Sequence, residues 1–317
     1  MRDFTSEETE SSVIEVQGLT KRYGDKTAVE DLSFRVQPGV VTGFLGPNGS
    51  GKSTTMRVIM GLDRPNTGTA TINGRSYHDL DWPLREVGAL LEARAIHPGR
   101  TARAHLWMLA QTNQIARSRV DEVLDIVGLT EVANQAAGKF SLGMGQRLGI
   151  AASLLGDPGV LLYDEPVNGL DAEGIRWVRN LLTGLARQGR TLFVSSHLMS
   201  EMAQMADDVV VIGRGRLITE APMSNLLASN QQSYVRVRSP GIDSLCSLLE
   251  ARGARTTRES DGSINVSGMN ESAIGDLAFE AGIALHELAP NNASLEEVFM
   301  ELTEESVEYH GAGGGSQ

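Results

Sequence analysis

One short stretch limits what this 317-residue chain can fold into more than any other. It runs from Gly46 to Ser53 and fits the pattern GxxxxGK followed by Ser or Thr. An apolar, strand-like run (40–45) precedes it, and residues 53–60 predict a helix. In that context the glycines let several backbone N–H groups point at one anion, and the helix N-terminus adds its positive dipole end. The stretch therefore predicts a nucleotide-phosphate site within an α/β domain.

The residue types in this phosphate loop indicate separate roles. Lys52 would place a full charge at the β- and γ-phosphates, Ser53 offers a hydroxyl to Mg²⁺, and Thr54 lies toward the α-phosphate. Lysine is scarce, with four lysines against 24 arginines, so a lysine inside a motif is less expected by chance. The loop residues that we expect at the nucleotide are Gly46, Pro47, Asn48, Gly49, Ser50, Gly51, Lys52, Ser53 and Thr54.

Two adjacent carboxylates end a second apolar run, residues 160–163. Neighbouring residues on a strand point to opposite sides, so Asp164 and Glu165 are expected to act differently. Asp164 suits Mg²⁺ beside Ser53, either as a direct ligand or through a group that is itself bound to the metal. Glu165 suits polarisation of a water for in-line attack on the γ-phosphate. The alternative, a strand that simply ends in solvated acids, is disfavoured by the phosphate loop.

Composition removes several function classes. The formal net charge is −12, which disfavours a sequence-independent nucleic-acid binder because such proteins need clustered positive charge. The single cysteine, Cys246, excludes an intrachain disulfide and a Cys-rich metal site, and favours a reducing compartment. The apolar runs are strand-sized and fall short of the roughly 20 residues that span a bilayer, so we expect no membrane segment.

The chain divides by pattern into two domains. Residues 13–223 alternate strand-like and helix-like segments, with a closing hairpin at 209–218. Residues 224–308 follow the order β-α-β-β-α-β, which predicts a small α+β ferredoxin-like domain, and Ser294 with Glu297 has the spacing of a capping box before a final helix. We expect residues 1–12 to be disordered and 309–317 to be a flexible tail or an artificial extension.

Further motifs carry a family resemblance. Phe140–Met144, followed by Gly145, Gln146 and Arg147, resembles the signature motif of ATP-binding cassette (ABC) proteins, in the variant of ABC-2-type exporters. Asn168–Asp171 resembles the D-loop, with Asp171 as its aspartate. His197 resembles the switch histidine, and Tyr23 resembles the aromatic residue that stacks on adenine. The resemblance covers about residues 14–220 and is closest to the ATP-binding subunits of daunorubicin and bacitracin exporters.

The resemblance implies a P-loop NTPase cassette with a RecA-like core, an antiparallel β subdomain and a helical subdomain at about 93–155. It implies ATP and Mg²⁺ as cofactors, catalysis by Lys52, Glu165 and His197, and Mg²⁺ held by Ser53, Asp164 and the residue at the Q-loop position, Glu92. The signature would close on ATP held by a second copy, in a head-to-tail homodimer. Those signature residues are Ser141, Leu142, Gly143 and Met144.

As partner, the resemblance implies a separately encoded membrane permease, contacted by the helical segment 93–139, and no nucleic acid. The chain would then lie at the cytoplasmic face of the cell membrane, held through the permease. The expected cargo is a drug, an antibiotic or another hydrophobic or amphipathic compound.

Three departures from the family pattern stand out. Glu92 replaces the usual glutamine and adds negative charge beside the phosphates, although a carboxylate still ligates Mg²⁺. Leu142 and Met144 replace Gly and Gln of the commoner signature, and we expect the site to remain competent.

Two other functions compete with the exporter. A soluble ABC ATPase acting on nucleic acid or the ribosome would carry a long coiled-coil insertion or two cassettes, but only 86 residues separate Thr54 from Ser141 and no repeat is present. A small-molecule kinase or GTPase shares the phosphate loop but not the signature or His197. Six glutamates between Glu296 and Glu308 indicate a solvated helix face or, alternatively, a regulatory or dimer-stabilising segment.

Overall fold

A computed structural model describes residues 13–92, 96–197, 199–228, 234–291 and 295–303. The expected disorder of 1–12, the expected tail at 309–317 and the cap residue Ser294 lie outside these residues. The chain divides near Pro222 into two compact units, of which the second is Met223–Leu302. No helix of the described part is long and apolar enough to cross a bilayer.

The first unit contains nine strands and seven helices among the described residues. In chain order they are β1 (Ile14–Tyr23), β2 (Lys26–Val36), β3 (Val41–Leu45), α1 (Lys52–Ile59), β4 (Thr67–Ile72), α2 (Pro83–Glu86), β5 (Val87–Leu90), α3 (Ala102–Thr112), α4 (Arg117–Ile126), α5 (Leu142–Ser153), β6 (Val160–Asp164), α6 (Ala172–Arg187), β7 (Thr191–Ser195), α7 (Met199–Met205), β8 (Asp208–Gly213) and β9 (Arg216–Pro222).

A six-stranded sheet forms the centre of this unit, in the order β5-β6-β7-β3-β8-β9. The first five strands pair in parallel and β9 closes the edge antiparallel to β8, as the predicted hairpin requires. Strands β3 and β7 are buried along their whole length, which explains why neither contains a charged residue or alternates between buried and exposed positions. Phe44 and Phe193, on these two strands, pack with ring centroids 4.7 Å apart. Because β6, β7 and β3 are neighbours, the loops that follow them meet at one edge.

Two smaller parts complete the first unit. Strands β2, β1 and β4 form an antiparallel sheet that ends near Tyr23, and the turn after β4 uses Asn73 and Gly74, both in the left-handed region. Helices α3 to α5 form the helical part between β5 and β6. Thr101 caps α3, its hydroxyl accepting from Ala104 N, and Ser141 caps α5 by accepting from Met144 N.

The second unit begins with α8 (Met223–Ala228) and ends with α11 (Leu295–Thr303). Between them lie β10 (Tyr234–Arg238), α9 (Ile242–Ala251), β11 (Arg255–Arg258), β12 (Ile264–Ser267), α10 (Glu271–Glu280) and β13 (Glu287–Asn291). The four strands form an antiparallel sheet in the order β11-β12-β10-β13, and its apolar face packs on residues of α9 and α10. The element order is β-α-β-β-α-β. The ferredoxin-like assignment of this unit stays a prediction.

The last strand of this sheet lies further along the chain than its apolar pattern indicates. The run 283–288 is strand-like by sequence, whereas the observed strand is Glu287–Asn291. Pairing with β10 begins only where His286 N donates to Arg238 O, after the left-handed turn at Gly282. The strand also contains Pro290, which an edge strand tolerates because one of its sides needs no N–H donor.

Candidate functional site

A cavity of about 920 Å³ opens where the loops after β3, β6 and β7 meet. Its walls combine glycine backbone, one buried lysine, three carboxylates and a histidine. The lining residues are Tyr23, Lys26, Ala28, Asn48, Gly49, Gly51, Lys52, Ser53, Thr54, Leu91, Glu92, Leu142, Gln146, Asp164, Glu165, Asn168 and His197. Residues of the phosphate loop, the carboxylate pair, the signature and the D-loop thus border one cavity, together with Tyr23, Glu92 and His197.

Two glycines of the phosphate loop occupy positions that exclude a side chain. A Cβ on Gly46 would lie 2.4 Å from Ser50 Oγ and 2.6 Å from Ile212 O. Gly51 has a φ of 109°, and a Cβ there would lie 2.6 Å from Ala28 O. The loop can therefore curl tightly into α1, whose first turn receives no side-chain cap, so its N–H groups stay available to an anion.

Lys52 lies at the base of this loop and is buried. Its Nζ donates to Gly46 O at 2.7 Å and to Pro47 O at 3.2 Å. Burial lowers the pKa of the ammonium, and the nearby carboxylates of Glu165 and Asp164 oppose that shift. Within the described residues, the buried Ser50 Oγ has no hydrogen-bond partner. The tight glycine cradle, the buried cation and this unpaired hydroxyl fit a bound polyphosphate.

The strand ends between the two adjacent carboxylates, and each carboxylate has a different hydrogen-bond partner. Asp164 is the last residue of β6, and Ser195 Oγ on the neighbouring strand donates to its Oδ1. Glu165 has a φ of 54°, in the left-handed region that non-glycine residues seldom adopt. The backbone therefore turns at Glu165, one residue past the end of the strand. Such a conformation costs about 1–3 kcal/mol and persists where the surroundings determine it.

Hydrogen bonds hold the Glu165 backbone on both sides. Its N–H donates to Ser195, at 3.2 Å to the carbonyl and 3.1 Å to Oγ. Its carbonyl accepts from Gln146 Nε2 at 2.8 Å and from Asn168 N at 3.2 Å. Sequence reasoning missed Ser195 and Gln146 as site residues. A serine in a strand and a glutamine just beyond a signature carry no distinguishing pattern of their own.

His197 contacts the side chain of Glu165. Its Nδ1 lies 2.7 Å from Glu165 Oε2, and its backbone N donates to the same oxygen at 3.3 Å. The imidazole is half-exposed. The carboxylate that was predicted to polarise water is therefore oriented by the predicted switch histidine.

Tyr23 and Glu92 border the cavity from its open sides. Tyr23 is 47% exposed, its hydroxyl donates to Asp63 Oδ2 at 2.8 Å, and Lys21 Nζ lies 4.9 Å from its ring centroid. Partial burial and the neighbouring Asp63 raise the pKa of the phenol. Glu92 follows β5 and is exposed at the cavity. An aromatic ring stands at the edge where a base could stack, and a carboxylate stands near Ser53.

The signature residues are divided between two places. Leu142 lines the phosphate-loop cavity, whereas Ser141, Gly143 and Met144 do not. Ser141 and Leu142 also line a second cavity of about 380 Å³. Leu142 packs on Gly169, which contacts the start of α5 from the predicted D-loop. Asp171 lies outside both cavities and caps α6 by accepting from Gly174 N at 2.8 Å.

Metal binding would rely on few protein ligands. In the part of the chain that the structure describes, no group of three or more His, Cys, Asp or Glu side chains is arranged to hold a metal ion. Ser53, Asp164 and Glu92 supply one hydroxyl and two carboxylates around one cavity. Mg²⁺ keeps several waters and commonly takes phosphate oxygens with one or two carboxylates, so this donor set fits it.

Comparison with known proteins finds a family match in each unit. Residues 29–168 match the family model described as ABC transporter, and residues 233–296 match a domain of unknown function. The bacitracin transport ATP-binding protein BcrA of Bacillus licheniformis is 37% identical over 299 residues, covering 92% of this chain and 97% of the relative. The daunorubicin resistance ATP-binding protein DrrA3 of Streptomyces coeruleorubidus is 33% identical over 92% of this chain and 96% of its own.

Solved structures agree with these relatives over about two thirds of the chain. An ATP-binding subunit of an ABC transporter matches with a TM-score of 0.62 and 26% identity, covering 68% of this chain and 91% of its own. The dimeric structure of MJ0796, a bacterial ABC transporter cassette, matches with a TM-score of 0.59 and 25% identity, covering 66% of this chain and 98% of its own.

Proposed function

This chain belongs to the ATP-binding proteins of ABC transporters, and from that premise we propose that it is the ATP-hydrolysing motor subunit of an exporter. The ABC domain is an ATPase that binds ATP with Mg²⁺. The observation that carries the proposal is the cavity in which Lys52, Asp164 and the Glu165–His197 pair meet. A phosphate cradle, a metal carboxylate and an oriented base are the parts that phosphoryl transfer to water requires.

We assign the roles residue by residue. The loop N–H groups and Lys52 hold the phosphates, Tyr23 offers a stacking face to adenine, and Ser53 with Asp164 and Glu92 would hold Mg²⁺. When bound, Mg²⁺ neutralises phosphate charge that develops during transfer. Glu165 accepts a proton from water as the water oxygen bonds to the γ-phosphorus. The bond from that phosphorus to the β–γ bridging oxygen breaks, and ADP leaves with its electron pair. His197 keeps the Glu165 carboxylate oriented through the 2.7 Å contact.

The working unit that we propose is a head-to-tail homodimer. The capped start of α5 carries Ser141 and Gly143, and a helix N-terminus attracts anions. Ser141 and Gly143 do not line the cavity of their own phosphate loop, which supports their engagement by ATP on a second copy. The dimeric cassette among the similar structures supports a dimer. ATP would then close the dimer, and loss of the γ-phosphate would release it.

We propose export of a drug or antibiotic through a separate membrane permease. The support is that full-length relatives carry names for bacitracin transport and daunorubicin resistance. The helical part at 93–139 is the proposed contact with the permease, at the cytoplasmic face of the membrane. The competing role, a factor for nucleic acid or the ribosome, receives no support from these relatives.

ATP hydrolysis and its coupling test the proposal. The purified chain should release phosphate from ATP only with Mg²⁺, and Glu165→Gln should bind ATP while losing turnover by about 10²- to 10⁴-fold, the usual contribution of a general base. The neighbouring reading frame should encode a six-helix membrane protein, and co-purification with it should make turnover respond to cargo compounds. Wild-type turnover in Glu165→Gln would overturn the assignment of the base, and a nucleic-acid factor in the neighbouring frame would overturn the export role.

A further inference from the structure

We infer that Gln146 is a positioning residue for the catalytic carboxylate, an inference that rests on the proposed role of Glu165. Gln146 belongs to α5, yet its side chain reaches the loop after β6 and lines the phosphate-loop cavity. Its Nε2 donates to Glu165 O at 2.8 Å. This bond joins the helix that carries the signature directly to the backbone of the proposed base.

The bond acts on a residue whose backbone needs support. Glu165 has a φ of 54°, and its surroundings must hold it in that left-handed conformation. Ser195 fixes its N–H, and Gln146 with Asn168 fixes its carbonyl. Of these partners, Gln146 is the one that comes from a helix packed beside the loop rather than from the neighbouring strand or the loop itself. Loss of its amide leaves the carbonyl only the local Asn168 N–H at 3.2 Å, within the same turn.

The burial of Gln146 indicates that the side chain is there for this contact. It is 4% exposed, and polar side chains are seldom buried so fully unless they are hydrogen-bonded. In the described residues its Oε1 has no partner, so one half of the amide is left unpaired while the other half holds Glu165. An apolar side chain of similar length would fill the same space without that unpaired oxygen. Packing alone therefore does not require a glutamine.

The direction of the effect follows from this geometry. Among the described residues, Gln146 makes no hydrogen bond to the phosphate loop. Its bond is to the carbonyl of Glu165 and not to the carboxylate, which His197 contacts. Its removal should leave ATP binding intact and let the carboxylate shift relative to the attacking water. A misplacement of about 1 Å can cost about 100-fold in rate, so we expect kcat to fall by about 10- to 100-fold.

The test compares Gln146→Met, which keeps length and removes the amide, with a matched control, Ser153→Ala. Ser153 is a buried residue of the same helix whose hydroxyl contacts Tyr163 OH on β6 at 2.8 Å rather than the Glu165 backbone. ATP turnover, KM, ATP affinity and thermal unfolding are measured for both. The inference expects Gln146→Met to lose kcat by about 10-fold or more with ATP affinity within about twofold of wild type, and Ser153→Ala to keep kcat at equal or lower stability.

A second arm separates positioning from general damage. In a Glu165→Gln background, where no base remains to be positioned, Gln146→Met should cause no further loss of single-turnover hydrolysis. If Gln146→Met fails to fold, Gln146→Asn, which shortens the reach and stays polar, takes its place. Unchanged kcat in a folded variant, a parallel loss of affinity and kcat in both variants, or an undiminished loss in the Glu165→Gln background would overturn the inference. Full turnover by Glu165→Gln alone would instead overturn the proposed function.

Discussion

Replacement of Lys52 by alanine should remove most of the affinity for ATP. Lys52 is 8% exposed, and its ammonium already donates to two loop carbonyls, at 2.7 and 3.2 Å. Hydrogen bonds to charged groups contribute about 1.5–3 kcal/mol each, so two bonds to phosphate oxygens would contribute about 3–6 kcal/mol. Because those bonds replace bonds to neutral carbonyls, the lower end applies. We therefore expect a loss of about 3 kcal/mol, or roughly 100-fold in Kd.

The assay is titration with ATP in the presence of Mg²⁺, followed by calorimetry. Lys139→Ala is the charge-matched control, since Lys139 lies in a short turn at residues 137–139 and not in the cavity. Thermal unfolding checks that both variants remain folded. Affinity of Lys52→Ala within about threefold of wild type, with Lys139→Ala also unchanged, would refute the assignment of the phosphate loop.

Three further outcomes follow from the site. Glu92→Gln removes a negative charge beside the phosphates and should leave hydrolysis equal or faster; a collapse of turnover would show that the carboxylate itself is needed. Burial lowers the pKa of Lys52 below its ordinary 10.5, so ATP affinity should fall as pH rises through that pKa, because the neutral amine no longer attracts phosphate. Lys52→Arg stays charged throughout and should bind ATP without that fall. If the fall persists in Lys52→Arg, Lys52 is not its source. Tyr23→Ala should lose about 1–3 kcal/mol of affinity for ATP and none for inorganic triphosphate, whereas Tyr23→Phe should keep the ring and the affinity; equal losses for both ligands would argue against stacking.

The sequence predicts well those parts of the fold and the site that depend on consecutive residues. The phosphate loop is recognisable because Gly46 and Gly51 stand where no Cβ fits and Lys52 follows directly. The buried strands are recognisable because both faces are covered, which leaves short, mostly apolar runs without charged residues. In a parallel sheet the carboxyl ends of these strands lie at the same edge, so the site residues that follow the strands meet there.

The parts that sequence misses depend on contacts between distant segments. Nothing in the residues around Glu165 predicts its left-handed backbone, since that conformation depends on Ser195 and Gln146, 30 and 19 positions away. Each of these partners has a residue type common in its own element. The sequence also predicts the wrong position for the last strand of the second unit, for a related reason. Pairing with β10, and not the apolar run at 283–288, determines where that strand begins.

The signature shows a different limit on what the sequence of a single chain can predict. Ser141 caps α5 locally, as a serine at that position does in many helices. Its proposed second role is to bind the phosphates of ATP held by another copy. The sequence of one chain indicates that role only because the other motifs stand in the expected order. The contact of Leu142 with Gly169 shows that this segment also packs on its own chain.

The central claim is that ATP is enclosed between two copies, each of which contributes half of the site. Light scattering with counting of trapped nucleotide on Glu165→Gln in ATP and Mg²⁺ tests it directly, alongside the double variant Glu165→Gln with Ser141→Arg. We predict a dimer holding two ATP for the first protein and a monomer that still binds ATP for the second. A Glu165→Gln protein that stays monomeric when saturated with ATP, or a dimer that survives Ser141→Arg, would contradict the account.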